Sequence, residues 1–144
     1  MNILFICKHN VFRSKVAEAY FKKVNQNKGI NVESAGIIKA DVVSEVEKKL
    51  INFQKKTAKE FGINIKNDSM PLSVSLLKKQ DIIFIVADDI SKKIFNSKFY
   101  LKPKLKIIVW DIPDVKGNKN DKFLIKESIK TIMKKVDKLM EELK

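Results

Sequence analysis

The sequence has very little cysteine, histidine or arginine, on which many metal sites, thiol redox sites and base-reading contacts depend. Among its 144 residues there is one cysteine, one histidine and one arginine. One cysteine excludes an intrachain disulfide, a Cys-x2-Cys zinc site and a dithiol relay, and one histidine excludes a multi-histidine metal site. Because sparing use of cysteine is typical of reducing compartments, we expect a cytoplasmic protein.

Arginine is scarce although basic residues are abundant. The chain has 30 basic and 17 acidic residues, which gives a formal net charge of +13. Such a charge attracts polyanions, but direct reading of bases depends on arginine, whose parallel N–H donors grip guanine. The composition therefore predicts a lysine-coated surface and disfavours nucleic acid as the main partner.

Long apolar runs are also missing. The longest, residues 82–87, is far shorter than the ~20 residues of a membrane span, and the apolar N-terminal run ends at Lys8 without a basic leader. We therefore expect neither a membrane span nor a signal peptide. With 44% hydrophobic residues and no linker or repeat, residues 1–144 are expected to form one domain, which we predict to be a monomer.

Strand-like and helix-like patterns alternate along the chain. Near-continuous apolar runs predict strands at residues 3–6, 31–34, 81–86 and 106–110. Helical spacing predicts helices from Ser14 onward and at residues 42–61, 73–79 and 121–143, and a further helix capped by Asp88 or Asp89 that extends to about residue 97. Apolar strands separated by helices are typical of a parallel sheet covered on both faces. The sequence thus predicts a single doubly wound α/β domain.

The segment after the first strand holds the candidate site, because ligands of such sheets bind where strands end and helices begin. The only cysteine, histidine and arginine all fall within residues 7–14. A helix N-terminus and a guanidinium group both stabilise a thiolate at Cys7. Asn10 tolerates a left-handed backbone, and Ser14 can donate to the thiolate while capping the helix.

The same segment is suited to an oxyanion. Backbone N–H groups of a curled loop, continuous with a helix N-terminus, form an anion cradle. Arg13 can close that cradle with two parallel hydrogen bonds, which a lysine cannot do. These residues predict phosphoryl transfer to the Cys7 sulfur through a covalent cysteinyl-phosphate intermediate.

Residues 3–21, with Cys-x5-Arg-Ser directly after a strand, resemble the phosphate loop and first helix of the low-molecular-weight protein tyrosine phosphatases and their arsenate reductase relatives. Later landmarks follow in the same order: Ser34-Ala35-Gly36, Phe61-Gly62-Ile63, Pro71-Leu72 and Trp110 to Asp114. The resemblance implies a four-stranded parallel sheet of order 2-1-3-4. It also implies dephosphorylation without a metal or another cofactor.

Position by position, the resemblance makes Cys7 the nucleophile, Arg13 the phosphate clamp and Asp114 the general acid. Asp111, three residues earlier, is expected to brace the loop instead. Ser14 becomes the hydrogen-bond donor to the thiolate, and Asn10, bonded to Ser34, becomes the support of the loop. The phosphate-binding residues are then Lys8, His9, Asn10, Val11, Phe12, Arg13 and Ser14, with Phe12 expected to plug the core.

Two departures from the family pattern bear on the substrate. Tyrosine phosphatases of the family wall the site with aromatic side chains, whereas residues 37–40 and 115–118 contain none. Arginine phosphatases of the family carry threonine where Val11 stands. We expect a metal-independent phosphatase that hydrolyses phosphate monoesters, either protein phosphotyrosine or another aryl phosphate, and that also binds phosphate-like oxyanions.

Two alternatives stay open. An arsenate reductase could use the same loop, but without a second cysteine it would need an external small thiol. A noncatalytic phosphate-binding or lysine-rich interaction module is the alternative from another class, and it would have no need of the nucleophile Cys7.

Overall fold

A computed structural model describes residues 1–38, 44–66, 68–95, 101–115 and 121–144. The strands are β1 (Asn2–Cys7), β2 (Asn31–Gly36), β3 (Ile82–Val86) and β4 (Lys106–Trp110). The helices are α1 (Arg13–Val24), α2 (Glu45–Glu60), α3 (Val74–Lys78) and α4 (Asp121–Glu142), and a 3-10 turn covers Lys92–Phe95. No helix within these ranges has the length and apolarity to cross a membrane.

The four strands form one parallel sheet in the order β2-β1-β3-β4, which confirms the predicted fold class and strand order. Strand β2 lies on one side of β1, and the next strand in the chain, β3, lies on the other side. The direction in which strands are added therefore reverses at β1. Loops that follow β1 and β3 diverge there and leave a crevice at the carboxyl edge of the sheet. The topology therefore places the segment after Cys7 where doubly wound sheets bind their ligands.

Each face of the sheet has its own apolar core, because successive side chains of a strand point to opposite faces. On one face Phe5 and Phe84 pack with Trp110 and with residues of α1 and α4. On the other face Leu4, Ile6, Ile83 and Ile85 pack with Leu76 and Leu77 of α3. Trp110 is a core residue, as its position in the strand predicts, and Phe12 is buried in the same core.

Two local predictions about helix caps are wrong. Helix α1 begins at Arg13 with Phe12 in the capping position, so Ser14 lies inside the helix and does not cap it. Within the described residues, no helix is capped by Asp88 or Asp89. The 3-10 turn begins three residues after Asp89, where the Ser91 hydroxyl accepts from the Lys93 backbone N–H at 3.1 Å. The predicted helix end at residue 97 and the predicted start of α2 at residue 42 lie outside the described residues.

The aromatic cluster on the first face is expected to dominate the stability of the fold. The Phe84 ring centroid lies 5.3 Å from that of Phe5 and 4.7 Å from that of Trp110. Phe84→Ala removes both contacts and leaves a cavity, so the free energy of unfolding should fall by about 3–5 kcal/mol. Phe123, 65% exposed on α4, provides the control, and Phe123→Ala should change that free energy by less than ~0.5 kcal/mol. Urea denaturation followed by circular dichroism measures both variants, and equal losses would contradict this assignment of the core.

Candidate active site

The segment from Cys7 to Ser14 turns directly from β1 into α1. Cys7 is the last residue of β1 and is only 2% exposed. Asn10 has a φ of +54°, and among the described residues it is the one non-glycine residue with a positive φ. Asparagine is one of the few residues that adopt this conformation at low cost. The tight curl between strand and helix is thus made at Asn10.

Gly36, the last residue of β2, allows the loop to pass close to the neighbouring strand. It pairs with Cys7 in the sheet register. A Cβ atom at position 36 would lie 2.8 Å from the carbonyl carbon of His9 and 2.9 Å from the backbone nitrogen of Asn10. Only glycine leaves room for both backbone atoms at these distances.

The buried side chain of Asn10 joins three segments of the chain. Its Nδ2 group donates to Ser14 Oγ at 2.7 Å and to Ser34 Oγ at 2.9 Å. Its Oδ1 atom accepts from the Met70 backbone N–H at 2.9 Å, and its main-chain carbonyl accepts from the Ser69 hydroxyl at 3.2 Å. The loop is therefore held to α1, to β2 and to the segment before α3 through one residue.

The direction of these bonds determines what Ser14 offers to the sulfur. Because Asn10 Nδ2 can only donate, the Ser14 oxygen accepts from it and the Ser14 hydroxyl proton is free to point elsewhere. Cys7 Sγ lies 3.0 Å from Ser14 Oγ. With the sulfur as a thiolate, which has no proton to give, Ser14 is the donor in this contact.

A second branch of the network ends at a carboxylate. The Ser34 oxygen accepts from Asn10, and the Ser34 hydroxyl donates to Glu18 Oε1. The other oxygen of Glu18 accepts from Lys22 Nζ at 2.6 Å. Glu18 is a site residue that the sequence analysis missed, although it lies one helical turn after Ser14 on α1 and so shares its face.

Arg13 is buried, with an exposed fraction of 4%, and its guanidinium group is fixed by two acceptors. Nη1 donates to Asp89 Oδ1 at 3.2 Å and to the carbonyl oxygen of Ile112 at 2.9 Å. The same Ile112 oxygen also accepts from the Asp88 backbone N–H at 3.1 Å. Asp89 is the second residue that sequence reasoning missed. Its sequence position could have revealed it, because Asp89 follows closely after β3, and β3 ends at the same edge of the sheet as β1.

The carbonyl groups of the loop face the surrounding segments. The Cys7 and Lys8 oxygens accept from the backbone N–H groups of Ile37 and Ile38 at 3.2 and 2.9 Å, and the Asn10 oxygen accepts from Ser69. The peptide bonds of the described residues are trans, so each N–H points opposite to the carbonyl of the same peptide unit. The N–H groups of residues 8, 9 and 11 are consequently turned away from those segments.

The remaining predicted site residues fall into two groups. Lys8, His9 and Val11 are half-buried in the loop, whereas Phe12 is buried in the core beneath it. Asp114 is exposed on the segment after β4, between Pro113 and the buried Val115. That segment is anchored two residues before Asp114, where the Ile112 carbonyl binds Arg13. Residues 39–40 and 116–118, in the segments expected to wall the site, lie outside the described residues.

Comparison with known proteins identifies the family. The model of the family described as low molecular weight phosphotyrosine protein phosphatase matches residues 2–144, and the chain belongs to this family. It is 29% identical over 99 residues to a protein-arginine-phosphatase of Bacillus subtilis (strain 168). That match covers 69% of this chain and 63% of the relative, which is less than two thirds of the relative's length.

Solved structures share the fold over nearly the whole chain. One is the YwlE arginine phosphatase, in a cysteine-to-serine variant with a phosphorylated active-site serine. It has a TM-score of 0.75 and 22% identity, with 99% of this chain and 95% of that chain covered. Another is an arsenate reductase from Archaeoglobus fulgidus DSM 4304, with a TM-score of 0.58, 26% identity and coverage of 94% and 98%.

Gly36 gives a direct test of how tightly the loop is packed. In Gly36→Ala the added Cβ must displace the backbone of His9 and Asn10, so the free energy of unfolding should fall by roughly 1–3 kcal/mol. The backbone amide resonances of residues 7–10 should shift at the same time. Gly29→Ala is the matched control, because its Cβ would meet only the end of the Asn27 side chain, at 3.2 Å. Wild-type stability and unchanged loop resonances in Gly36→Ala would contradict the close approach.

Proposed function

We propose that this member of the low molecular weight phosphatase family hydrolyses phosphate monoesters without a metal, through a cysteinyl-phosphate intermediate at Cys7. The observation that carries the proposal is the 3.0 Å contact between Cys7 Sγ and Ser14 Oγ, in a loop whose carbonyl groups face outward. A serine oriented to donate to sulfur is suited to a thiolate nucleophile.

Phosphate binds in the concave side of the loop. The N–H groups of residues 8, 9 and 11 face that side, and the N-terminus of α1 adds its partial positive charge. Nη1 of Arg13 is engaged with Asp89 and Ile112. The Nε and Nη2 edge of the guanidinium group then grips two phosphate oxygens in parallel. Asp89 acts as a positioning residue, because it fixes the plane in which this edge lies.

The reaction proceeds in two steps at phosphorus. The Cys7 thiolate attacks the phosphorus atom, the S–P bond forms, and the bond to the leaving group breaks as Asp114 donates its proton to the leaving atom. Water then attacks the phosphocysteine and gives its proton to Asp114, so that phosphate leaves and the thiolate is restored. The phosphorylated active-site serine of the YwlE variant supports this pathway, since an oxygen in place of sulfur there traps the phosphoryl group.

Asp114 is suited to the acid role by its place in the chain. It is exposed, and Pro113 and the anchored Ile112 carbonyl precede it. The carboxyl group therefore extends from a segment that is tied directly to the phosphate clamp Arg13. Asp111 directly follows β4, is exposed, and makes no side-chain hydrogen bond to the loop among the described residues, so its expected bracing role stays a prediction.

Aryl phosphate is the proposed substrate class, and phosphoarginine is the second candidate. The second candidate is favoured by two relatives, the Bacillus subtilis protein-arginine-phosphatase and the YwlE structure. Against it, Val11 stands where arginine phosphatases of the family carry threonine, and it packs against the core at the edge of the loop. The aliphatic side chain gives a phosphoguanidinium group no hydrogen-bond acceptor at that position.

Arsenate reduction remains the competing reaction. The fold match to an arsenate reductase supports binding of arsenate in the same loop. Since the sequence contains no second cysteine, any reduction would need a small external thiol to resolve a Cys7–arsenic adduct.

A metal-free assay distinguishes these reactions. With chelator present, the enzyme should release phosphate from 4-nitrophenyl phosphate, and vanadate should inhibit the release. A phosphoarginine peptide, and arsenate with a small thiol, are assayed in parallel. Cys7→Ser should retain its circular dichroism spectrum and lose turnover, and Arg13→Lys should lower turnover strongly despite its retained charge. Appreciable turnover by Cys7→Ser would overturn the covalent pathway. Faster turnover of phosphoarginine or arsenate would instead reassign the substrate.

A series of aryl phosphates with different leaving-group pKa values distinguishes the role of Asp114 from that of Asp111. A general acid contributes roughly 10²–10⁴-fold in rate, and it matters most when the leaving group is poor. Asp114→Asn should therefore lower turnover at least about tenfold for poor leaving groups and much less for activated ones. Asp111→Asn should show little dependence on the leaving group, and any loss of stability in this variant would be evidence for its expected bracing of the loop. A steeper dependence in Asp111→Asn than in Asp114→Asn would reverse the two roles.

A further inference from the structure

A cavity of about 590 Å³ lies behind the phosphate loop, between α1, β2 and the segment that follows α2. Its volume is within the range of small-molecule sites. The described residues that line it do not include Cys7, Arg13 or Asp114, so it is separate from the candidate active site. Asn10 and Ser34 form part of its wall and are shared with the hydrogen-bond network of the loop.

Lys15 lines this cavity and is an unusual residue for such a place. It is only 7% exposed. The described part of the chain offers its ammonium group no hydrogen-bond acceptor and no carboxylate at ion-pair distance. Burial of its aliphatic stem fixes where the ammonium group lies, whereas the nitrogen itself keeps access to the cavity, since it is not among the described buried atoms that lack a hydrogen-bond partner. An anion in the cavity would supply the missing partner.

The acidic side chains of the cavity are already compensated, with one exception. Glu18 accepts from Ser34 and from Lys22, and Glu33 pairs with Lys79 at 2.7 Å. Asp68 is the remaining carboxylate of the wall and is exposed. Lys66 adds a second ammonium group to the lining, whereas Lys23 is bound to the Gly62 carbonyl at 2.9 Å. The electrostatic balance inside the cavity therefore favours an anion at Lys15.

Apolar side chains complete the wall. Ala19, Ile63 and Met70 line the cavity beside the lysines, and the amide of Asn64 adds a polar group. An inorganic ion would leave this apolar surface uncovered. We propose that the cavity binds a small organic anion, whose charged group pairs with Lys15 and whose apolar part packs against Ala19, Ile63 and Met70.

Binding is tested by two-dimensional ¹H–¹⁵N NMR of the full chain, with benzoate, phenylphosphonate and inorganic phosphate as probes. Benzoate and phenylphosphonate should shift the amide resonances of residues 62–64. Phenylphosphonate should in addition shift those of the phosphate loop, and inorganic phosphate should shift the loop alone. Because the two sites report through different amides, failure at residues 62–64 is distinguished from failure of the proposed active site.

Lys15→Met keeps the length and apolar body of the side chain and removes the charge. It should abolish the shifts at residues 62–64 and leave those of the loop in place. Lys49→Met, at an exposed position of α2, is the matched control and should behave as wild type. Undiminished shifts at residues 62–64 in Lys15→Met would overturn the role of Lys15. Their absence with both organic probes, or equal shifts with inorganic phosphate, would overturn the organic-anion site.

Discussion

The hydrogen bonds of the Asn10 side chain are the constraint on which the rest of the site depends. Both N–H groups and the oxygen of one buried amide are used, and they connect Ser14, Ser34 and Met70. Such full use fixes the orientation of the amide, because a flip would place donors against donors. The orientation in turn leaves the Ser14 hydroxyl proton free to point to Cys7 and the Ser34 hydroxyl proton free to point to Glu18. Asn10, which has a positive φ at the corner of the loop, thus leaves the hydroxyl protons of Ser14 and Ser34 free to point away from it.

The guanidinium group of Arg13 holds its donors on separate nitrogens, which an ammonium group cannot do. Its Nη1 group donates to Asp89 and to the Ile112 carbonyl, and its Nε and Nη2 donors point in other directions. An ammonium group has a single nitrogen with three donors, so the same two bonds would leave one donor and no pair of parallel donors. In a chain whose 29 other Lys and Arg residues are all lysines, this difference is a physical reason for an arginine at this one buried position.

Local patterns predicted the fold well, since apolar runs and helical spacing are properties of neighbouring residues. β4 was predicted without error, and α4 within one residue. The place of the candidate site, in the loop after Cys7, could also be predicted, because the carboxyl ends of parallel strands lie at one edge of the sheet. The errors at Ser14, Asp88 and Asp89 have one physical cause. A polar side chain near a helix start can cap it or bind a distant partner, and only the tertiary structure decides which. Glu18 and Asp89 were missed for the same reason.

The candidate site is assembled from parts of the chain that are far apart in sequence. Residues 7–14 take their shape from contacts with residues 34–36, 69–70, 89 and 112. These contacts exist together only after β2, β3 and β4 have joined β1. During synthesis and folding, an emerging chain thus carries Cys7 before Asn10 is bonded to Ser34 and before Arg13 is bonded to Asp89 and Ile112. The arrangement around Cys7 is complete only when the sheet is complete, so a partly folded copy of this protein lacks the site even though it already holds every residue of β1 and α1.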